Sequence, residues 1–299
     1  IMTNILDILA CPLCPGKLSC DGGSLKCALG HTFDISKSGY VNLLPPGKGK
    51  NSHTGDERDM VKARADFLSR GYYDRLDTRS AEIICTSTQD EVTLVDMGAG
   101  EGRHTLKTTS ELISRGKKML SVGFDASKYA SECGMKKSRV AGLSEKNPYD
   151  MTSRASLVFI PANIFSLPIV NDCADVCLSM FAPIPWDEAY RVLKKSPDSM
   201  LLVLSSGKNH LIELRSLIYD SVNISDSLPE VPEGNDSFVS AGTTELCYTA
   251  HLENSEDIKN LFTMTPFYYK TTEEGKKRLY SQNELDVTVD VNYTIFKLK

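Results

Sequence analysis

From residue 92 onward the chain alternates short apolar runs with longer windows of helical periodicity. We predict strands at the apolar runs 92–97, 119–124, 156–160, 174–180 and 200–204, and helices at 101–115, 127–138, 187–194 and 209–220. Two later strands, at 243–252 and 287–297, flank a predicted helix near 255–262. This alternation is typical of an α/β domain built on a mostly parallel, seven-stranded sheet.

The first 80 residues follow a different pattern. The glycine-, proline- and lysine-rich stretch from Pro46 to Gly55 predicts a loop or linker. A helix is predicted to begin at Asp56, where Met60 and Phe67 belong to an apolar stripe at helical spacing. We therefore divide the chain into an N-terminal module (1–45), a basic linker and helix (46–80) and an α/β domain (81–299).

Composition places the chain among ordinary globular proteins, with 41% hydrophobic and 24% charged residues. The formal net charge of -5 is unevenly distributed, because residues 1–80 carry +2 and the remaining residues carry -7. Phosphate groups are bound by local clusters of Lys and Arg, not by net charge. The acidic total therefore weakens a nucleic-acid partner without excluding one.

No apolar run approaches the roughly 20 residues that a membrane span requires. The first residues also lack the basic region and the apolar stretch of a secretory signal. We expect no membrane association and a cytoplasmic location.

The chain has nine cysteines, and we do not expect them to form a framework of disulfide bonds, because the cytoplasm keeps thiols reduced. Cys11, Cys14, Cys27 and His31 follow the spacing C-x2-C-x12-C-x3-H, which is typical of a structural zinc site. A module of this size has too little core to fold without a metal or another constraint. Cys20 leaves a second set open, in which it replaces His31 as the fourth ligand.

The segment that follows the first predicted strand of the α/β domain is the most informative part of the sequence. It reads Asp96-Met-Gly98-Ala-Gly100-Glu101-Gly102. Glycines between a strand and a helix let the backbone approach a ligand that also meets the helix N-terminus. A dinucleotide fingerprint would need glycine at position 103, which is Arg103. The pattern instead resembles the first motif of S-adenosylmethionine-dependent methyltransferases.

Later strand ends complete this pattern. Asp125 ends the second strand, where an acidic side chain can accept hydrogen bonds from both ribose hydroxyls. Asn163 follows the third strand, where methyltransferases of this class contact adenine. The segment Phe181–Trp186 follows the fourth strand, where a methyl acceptor should approach.

Taken together, the motifs resemble those of the bacterial 23S ribosomal RNA (guanine-N1) methyltransferases of the RlmA type. The likeness runs through nearly the whole chain. Besides the cysteine and glycine motifs it includes His31-Thr-Phe-Asp34, Gly39-Tyr-Val-Asn-Leu-Leu-Pro45, Phe67-Leu-Ser-Arg-Gly-Tyr-Tyr73, Ala182-Pro183, the run from His210 to Tyr219 and Met264-Thr-Pro-Phe267. Lys194-Lys-Ser-Pro-Asp-Ser199 departs from the Lys-Pro-Gly-Gly turn usual in the family, which puts that turn's geometry in doubt.

The resemblance implies a Rossmann-like class I methyltransferase domain with a small N-terminal zinc-binding module that recognises RNA. It implies transfer of a methyl group from S-adenosylmethionine to N1 of one guanine in a 23S rRNA hairpin, by a homodimer that holds the RNA. Zn²⁺ would bind Cys11, Cys14, Cys27 and His31. The cofactor contacts would be Tyr73, Asp96, Gly98, Gly100, Glu101, Gly102, Asp125, Asn163 and His210.

Two other functions stay open at this point. One is a small-molecule methyltransferase acting on a quinone-like acceptor, and the other is an RNA-binding protein that binds the cofactor without turnover. The group that takes the proton from guanine N1 is unassigned, with Asp187 as a weak candidate. Trp186 is a hypothetical stacking partner for a flipped base, although a core position is equally in keeping with a lone tryptophan.

Overall fold

The computed structural model describes residues 3–14, 16–45, 57–222 and 228–299. The predicted loop from Pro46 to Gly55 lies outside the described residues. The helices are α1 Ile5–Ile8, α2 Arg58–Ser69, α3 Asp74–Ser87, α4 Arg103–Ser114, α5 Lys128–Val140, α6 Trp186–Val192, α7 Ile212–Ile218, α8 Ser255–Thr263 and α9 Glu273–Tyr280, with a 3₁₀ turn at Pro266–Tyr269.

The strands form two separate sheets. They are β1 Leu18–Asp21, β2 Ser24–Cys27, β3 Thr32–Asp34, β4 Glu91–Met97, β5 Lys118–Asp125, β6 Leu157–Pro161, β7 Val176–Met180, β8 Met200–Ser206, β9 Phe238–Leu252 and β10 Leu285–Leu298. The small sheet has the order β1-β2-β3, and the large sheet has the order β6-β5-β4-β7-β8-β10-β9. Within the large sheet β10 runs antiparallel to both of its neighbours, whereas the other pairs are parallel.

This architecture confirms the predicted fold class, a Rossmann-like α/β domain with a mostly parallel seven-stranded sheet, preceded by a small N-terminal module. The order reverses between β4 and β7, and ligands of open α/β sheets bind at the carboxyl ends of the strands beside such a switch point. The five parallel strands are almost wholly buried, as expected for strands covered on both faces. The long edge strand β9 is largely exposed.

Two apolar clusters form the core. Successive side chains of a strand point to opposite faces, so Val95 and Met97 belong to one cluster while Val92 and Leu94 belong to the other. The first cluster also includes residues of the N-terminal module, among them Leu25. That module is therefore packed against the α/β domain through shared apolar contacts.

Backbone hydrogen bonds reinforce this contact. The Ala10 N–H donates to Pro168 O at 2.8 Å, and the Leu43 N–H donates to Pro161 O at 3.0 Å. Pro161 is the last residue of β6, so the module contacts the strand that leads into the predicted adenine loop. The boundaries 1–45, 46–80 and 81–299 stay a prediction.

Candidate metal centre and cofactor-binding site

The structure brings the four predicted zinc ligands together. The ligand atoms of Cys11, Cys14, Cys27 and His31 all lie within 4.8 Å of one another. The Cys14 and Cys27 sulfurs are 3.7 Å apart, and His31 Nδ1 lies 3.5 Å from the Cys11 sulfur and 3.3 Å from the Cys27 sulfur. A tetrahedral zinc ion with ordinary Zn–S and Zn–N bonds needs S–S edges of about 3.8 Å and S–N edges of about 3.6 Å. These side chains therefore fit Zn²⁺.

Local turns explain how the ligands converge. The Cys11 N–H donates to Gly16 O at 2.8 Å, and the Gly30 N–H donates to Cys27 O at 2.9 Å. Gly30 has φ +86°, a left-handed conformation that glycine adopts without steric cost. Cys20 takes no part in the cluster, since its sulfur contacts Gly22 O at 3.8 Å and Asn147 Nδ2 at 3.6 Å. Of the two ligand sets that the sequence left open, the structure assembles the one with His31.

The glycine loop joins β4 to α4 through three left-handed residues. Gly98, Gly100 and Gly102 have φ values of +97°, +55° and +86°. A Cβ on Gly98 would lie 2.6 Å from Ala182 Cβ. Glycine is therefore required at this position both by the backbone conformation and by the close approach of the segment that follows β7.

Phe159 of β6 fixes the position of the loop from beneath. Its ring lies so close to Gly102, Gly123 and Gly134 that a Cβ on any of them would approach it to 2.6 Å or less. These glycines belong to the loop, to β5 and to α5, respectively. A side chain at any of these three positions would clash with the Phe159 ring, so glycine is required there. The close packing of the ring against them fixes the position of the loop relative to the sheet.

Asp125 connects the glycine loop with the end of β5. Its Oδ2 accepts the Gly100 N–H at 2.9 Å and its Oδ1 accepts the Ser127 N–H at 2.8 Å. These two hydrogen bonds fix the orientation of the Asp125 carboxylate beside the glycine loop. Its position beside the left-handed glycines fits the expected contact with ribose hydroxyls.

Asp96, at the penultimate position of β4, is buried beneath the loop. Its Oδ2 accepts the Thr105 hydroxyl at 2.5 Å, whereas its Oδ1 has no hydrogen-bond partner among the described residues. Burial raises the pKa of Asp96 to about 7. An unpartnered, buried carboxyl oxygen is suited to a cationic ligand group such as an ammonium.

Aromatic rings lie near His104 in the first turn of α4, the helix that follows the glycine loop. Tyr73 is buried, and its hydroxyl has no hydrogen-bond partner in the described part of the chain. The Tyr73 ring lies 6.4 Å from the His104 ring and 6.3 Å from the His210 ring, measured between centroids. The structure therefore brings together Tyr73 and His210, two predicted contacts that are far apart in the sequence.

His210 is held as a neutral imidazole. Its Nδ1 accepts the Asp290 N–H at 3.2 Å, so the ring proton is on Nε2. Burial lowers the pKa of His210 to about 4, so the ring is uncharged at neutral pH. A neutral histidine with a donor at Nε2 can hydrogen-bond a ligand without repelling a positive charge.

The side chains of Glu101 and Asn163, two predicted cofactor contacts, both accept hydrogen bonds from nearby backbone N–H groups. The Glu101 carboxylate is buried, accepts the Arg103 N–H at 3.3 Å and forms an ion pair with Lys137. Asn163 is exposed beyond β6, and its Oδ1 accepts the Phe165 N–H at 3.0 Å. The side chain of Glu101 is thus committed within the protein.

Asp187 and Trp186 lie at the start of α6. Asp187 is exposed and lines a cleft of about 540 Å³ together with Phe165 and Glu233. The Trp186 ring packs edge-on against Phe296, with centroids 4.9 Å apart, and against Phe238 at 5.6 Å. Trp186 is partly buried and packs against the core through these two rings, and it also lines the cleft. Its stacking on a base stays a hypothesis.

Asp77 of α3 and His104 of α4 form a largely buried contact next to the glycine loop, which no motif in the sequence indicated. Asp77 Oδ1 lies 2.7 Å from His104 Nδ1. Burial alone would lower the pKa of His104, but the Asp77 carboxylate raises it above its ordinary value. The position of His104, two residues after Gly102, was the one available signal.

Cations of α2 and α3 make contacts within the protein. Lys62 pairs with Asp66, Arg70 pairs with Asp257, and the Arg75 guanidinium lies 4.3 Å from the centroid of the Tyr248 ring. These side chains stabilise helix packing.

No helix among the described residues combines the length and the apolar character needed to cross a bilayer.

Comparison with known proteins agrees with the geometry of both sites. The family model described as "RlmA, N-terminal" matches residues 9–53, which include the four metal ligands. The YcgJ protein of Bacillus subtilis has a solved structure that is 15% identical, with a TM-score of 0.45, covering 74% of this chain and 98% of that one. This similarity is too low to assign the fold, which is defined by the strand order β6-β5-β4-β7-β8-β10-β9.

Two curated relatives extend the match beyond the metal site. The Bacillus subtilis (strain 168) protein YxjB, provisionally named a 23S rRNA (guanine-N(1)-)-methyltransferase, is 29% identical over 97% of this chain and 96% of its own length. The Streptomyces fradiae 23S rRNA (guanine(748)-N(1))-methyltransferase is 31% identical over 71% of this chain and 68% of its own length. The chain therefore belongs to the RlmA-type family of 23S rRNA (guanine-N1) methyltransferases.

Proposed function

We propose that this protein transfers a methyl group from S-adenosylmethionine to N1 of one guanine in a 23S rRNA hairpin. The observation that carries the proposal is the combination, in one chain of this family, of a Cys₃His cluster with a glycine loop at the carboxyl end of β4, beside the switch point of the sheet. A cytoplasmic location, the hairpin as partner and a homodimer are parts of the same proposal, and the names of the relatives support its RNA substrate.

We place the cofactor across the carboxyl ends of β4, β5 and β6. Asp125 would accept hydrogen bonds from the ribose hydroxyls, and Asn163 lies where the adenine would be bound. The unpartnered Asp96 Oδ1 and the Tyr73 hydroxyl would bind the methionine end, with His210 beside them. Because the Glu101 carboxylate pairs with Lys137, any contact there would come from its backbone.

When bound, S-adenosylmethionine supplies a methyl group that its sulfonium has already activated. The protein's own task is to orient the acceptor base and to exclude water from the reacting atoms. Ala182 packs against Gly98, so the segment after β7 is the wall that the acceptor would meet first. Asp187 stays the weak candidate for the group that takes the N1 proton.

Mass spectrometry tests the proposal. The purified protein is incubated with S-adenosylmethionine and a 23S rRNA hairpin fragment, and the RNA is then analysed for methylated guanine. We expect one N1-methylguanine per fragment with the wild-type protein, and a rate about ten- to a hundredfold lower with Asp125→Ala at limiting cofactor. Methylation of a quinone-like acceptor with an unmodified hairpin would favour the small-molecule alternative. Cofactor binding without transfer to either substrate would favour the RNA-binding alternative.

A further inference from the structure

Phe181 has an unusual backbone conformation at the carboxyl end of β7, a central strand of the large sheet. It directly follows β7, and its φ is +53°, in the left-handed region that non-glycine residues rarely adopt. A bulky side chain in this region is strained, and such strain is concentrated at functional sites. The Phe181 N–H donates to Leu204 O at 3.0 Å, which holds the backbone in place.

The strain is not offset by burial of the ring. Phe181 is 43% exposed, although large aromatic side chains contribute to stability mainly through the apolar area they bury. One face of the ring stacks on the His210 ring, with centroids 5.7 Å apart and an interplanar angle of 24°. The chain thus keeps an aromatic ring in a strained position where much of it meets solvent.

The location of the ring connects it to the cofactor. The next residue, Ala182, lies against Gly98 at the start of the glycine loop, and the Ser179 hydroxyl donates to Ala182 O at 3.1 Å. On its other side Phe181 contacts His210, which in turn neighbours the buried Tyr73. Phe181 therefore lies next to residues that contact the glycine loop and Tyr73, while part of its ring meets solvent.

We propose that Phe181, backed by the His210 ring, is the platform on which the target guanine stacks after it leaves the RNA hairpin. This inference rests on the proposed function, because it names the residue that orients the acceptor of that reaction. An enzyme that modifies a base within a structured RNA must take the base out of its stack, and aromatic side chains replace the lost stacking. Stacking fixes the plane of the base, so the edge that carries N1 can be turned toward the methyl group.

Other aromatic residues serve as comparisons. Trp186 is partly buried, and its ring makes edge-on contacts with Phe238 and Phe296. Tyr280 is also 43% exposed, but it is the last residue of α9 and packs edge-on against Phe262. Tyr280→Ala is therefore a matched control for the loss of an exposed aromatic ring.

The experiment measures three quantities for each variant: kcat/KM for the hairpin, affinity for S-adenosylmethionine and the midpoint of thermal unfolding. Phe181→Ala and Phe181→Gly should each lower kcat/KM by about 10- to 100-fold, the effect of one lost base–aromatic stack. Cofactor affinity should stay within about twofold, and Phe181→Trp should retain most of the activity. Phe181→Gly should unfold at or above the wild-type temperature, because glycine relieves the strain at positive φ.

Three outcomes would overturn the inference. Wild-type kcat/KM in Phe181→Gly would show that the ring is unnecessary. An equal loss of cofactor affinity would place the ring in the cofactor site, and a marked loss of thermal stability in Phe181→Gly would make it structural. An inactive wild-type protein would overturn the proposed function itself, and this result is distinguishable because every variant would then be inactive.

Discussion

The metal site and the glycine loop are two compact regions that reach their geometry by different means. In the metal site, four polar or polarisable side chains converge to within 4.8 Å, a spacing set by the ion they suit. In the glycine loop, an aromatic ring packed against three backbone segments sets the geometry, and no ion is required. The first region depends on a ligand, and the second depends on steric fit.

This difference has consequences for stability. Structural zinc sites couple metal binding to folding, so removing the metal removes the structure around it. A close-packed glycine site is sensitive instead to single added atoms, because interiors are packed at crystal-like density. Substitutions can therefore perturb the two regions separately.

The largest effect is expected from Cys14→Ser. Apparent binding free energies of structural zinc sites are about 10–16 kcal/mol, so loss of a ligand should unfold the N-terminal module. Metal analysis should show zinc well below one equivalent, and limited proteolysis should cut within residues 9–45. Cofactor affinity should fall by less than about tenfold, because Phe159 holds the loop without the metal.

Cys20→Ser is the control for this prediction, since Cys20 lies outside the cluster. It should retain a full equivalent of zinc. If Cys14→Ser lost zinc and cofactor binding to the same extent, the two regions would not be independent.

A smaller but still large effect is expected from Gly102→Ala. The added Cβ would lie 2.6 Å from Phe159 Cζ and 2.8 Å from Gly134 Cα, at a φ of +86°. Left-handed strain and overpacking together should lower the free energy of unfolding by about 2–4 kcal/mol. Gly116→Ala is the matched control, because Gly116 has φ +88° and nothing within 4 Å of its Cβ position.

Urea denaturation of both glycine variants separates the two causes. Gly116→Ala should lose only the conformational part, about 1–2 kcal/mol. Equal losses in the two variants would mean that Phe159 does not constrain the loop.

The third prediction concerns the Asp125 carboxylate. Hydrogen bonds to charged groups contribute about 1.5–3 kcal/mol, so Asp125→Ala should weaken S-adenosylmethionine binding about ten- to a hundredfold. Asp150→Ala is the control, since Asp150 also accepts the N–H of the residue two positions ahead, at 2.9 Å, but lies outside the loop. Isothermal titration calorimetry measures both, and unchanged affinity in Asp125→Ala would refute the placement of the ribose.

The smallest effect is a pH dependence of cofactor affinity. Because burial raises the pKa of Asp96 to about 7, the Asp96 carboxyl group of the cofactor-free protein is mostly protonated below that pH. The ammonium of the cofactor favours the carboxylate, so binding releases a proton and affinity should rise with pH. Between pH 6 and 8 the increase should be about tenfold. Asp96→Asn should bind with a flatter profile, and an unaltered profile would assign the titration to another group.

Much of the fold could be predicted from periodicity alone. All five predicted parallel strands are present within a few residues, and the late strands form the β9–β10 pair, although β9 begins five residues earlier than predicted. Helix α3 was missed because its buried face includes Asp77 and Ser80, polar residues that a hydrophobic pattern does not count. Asp77 can be buried there because it pairs with His104.

The sequence by itself determined the local chemistry: the ligand spacing of the metal site, the glycine loop and the acidic residue after the second strand. These features are encoded by residues within a short stretch or at a fixed offset from a strand end. Only the tertiary structure decided that His31, not Cys20, completes the cluster and that Trp186 packs against Phe238 and Phe296. It also decided that the rings of Tyr73 and Phe181 both lie beside His210. Contacts between residues far apart in the chain depend on how strands and helices pack, and no local pattern specifies that packing.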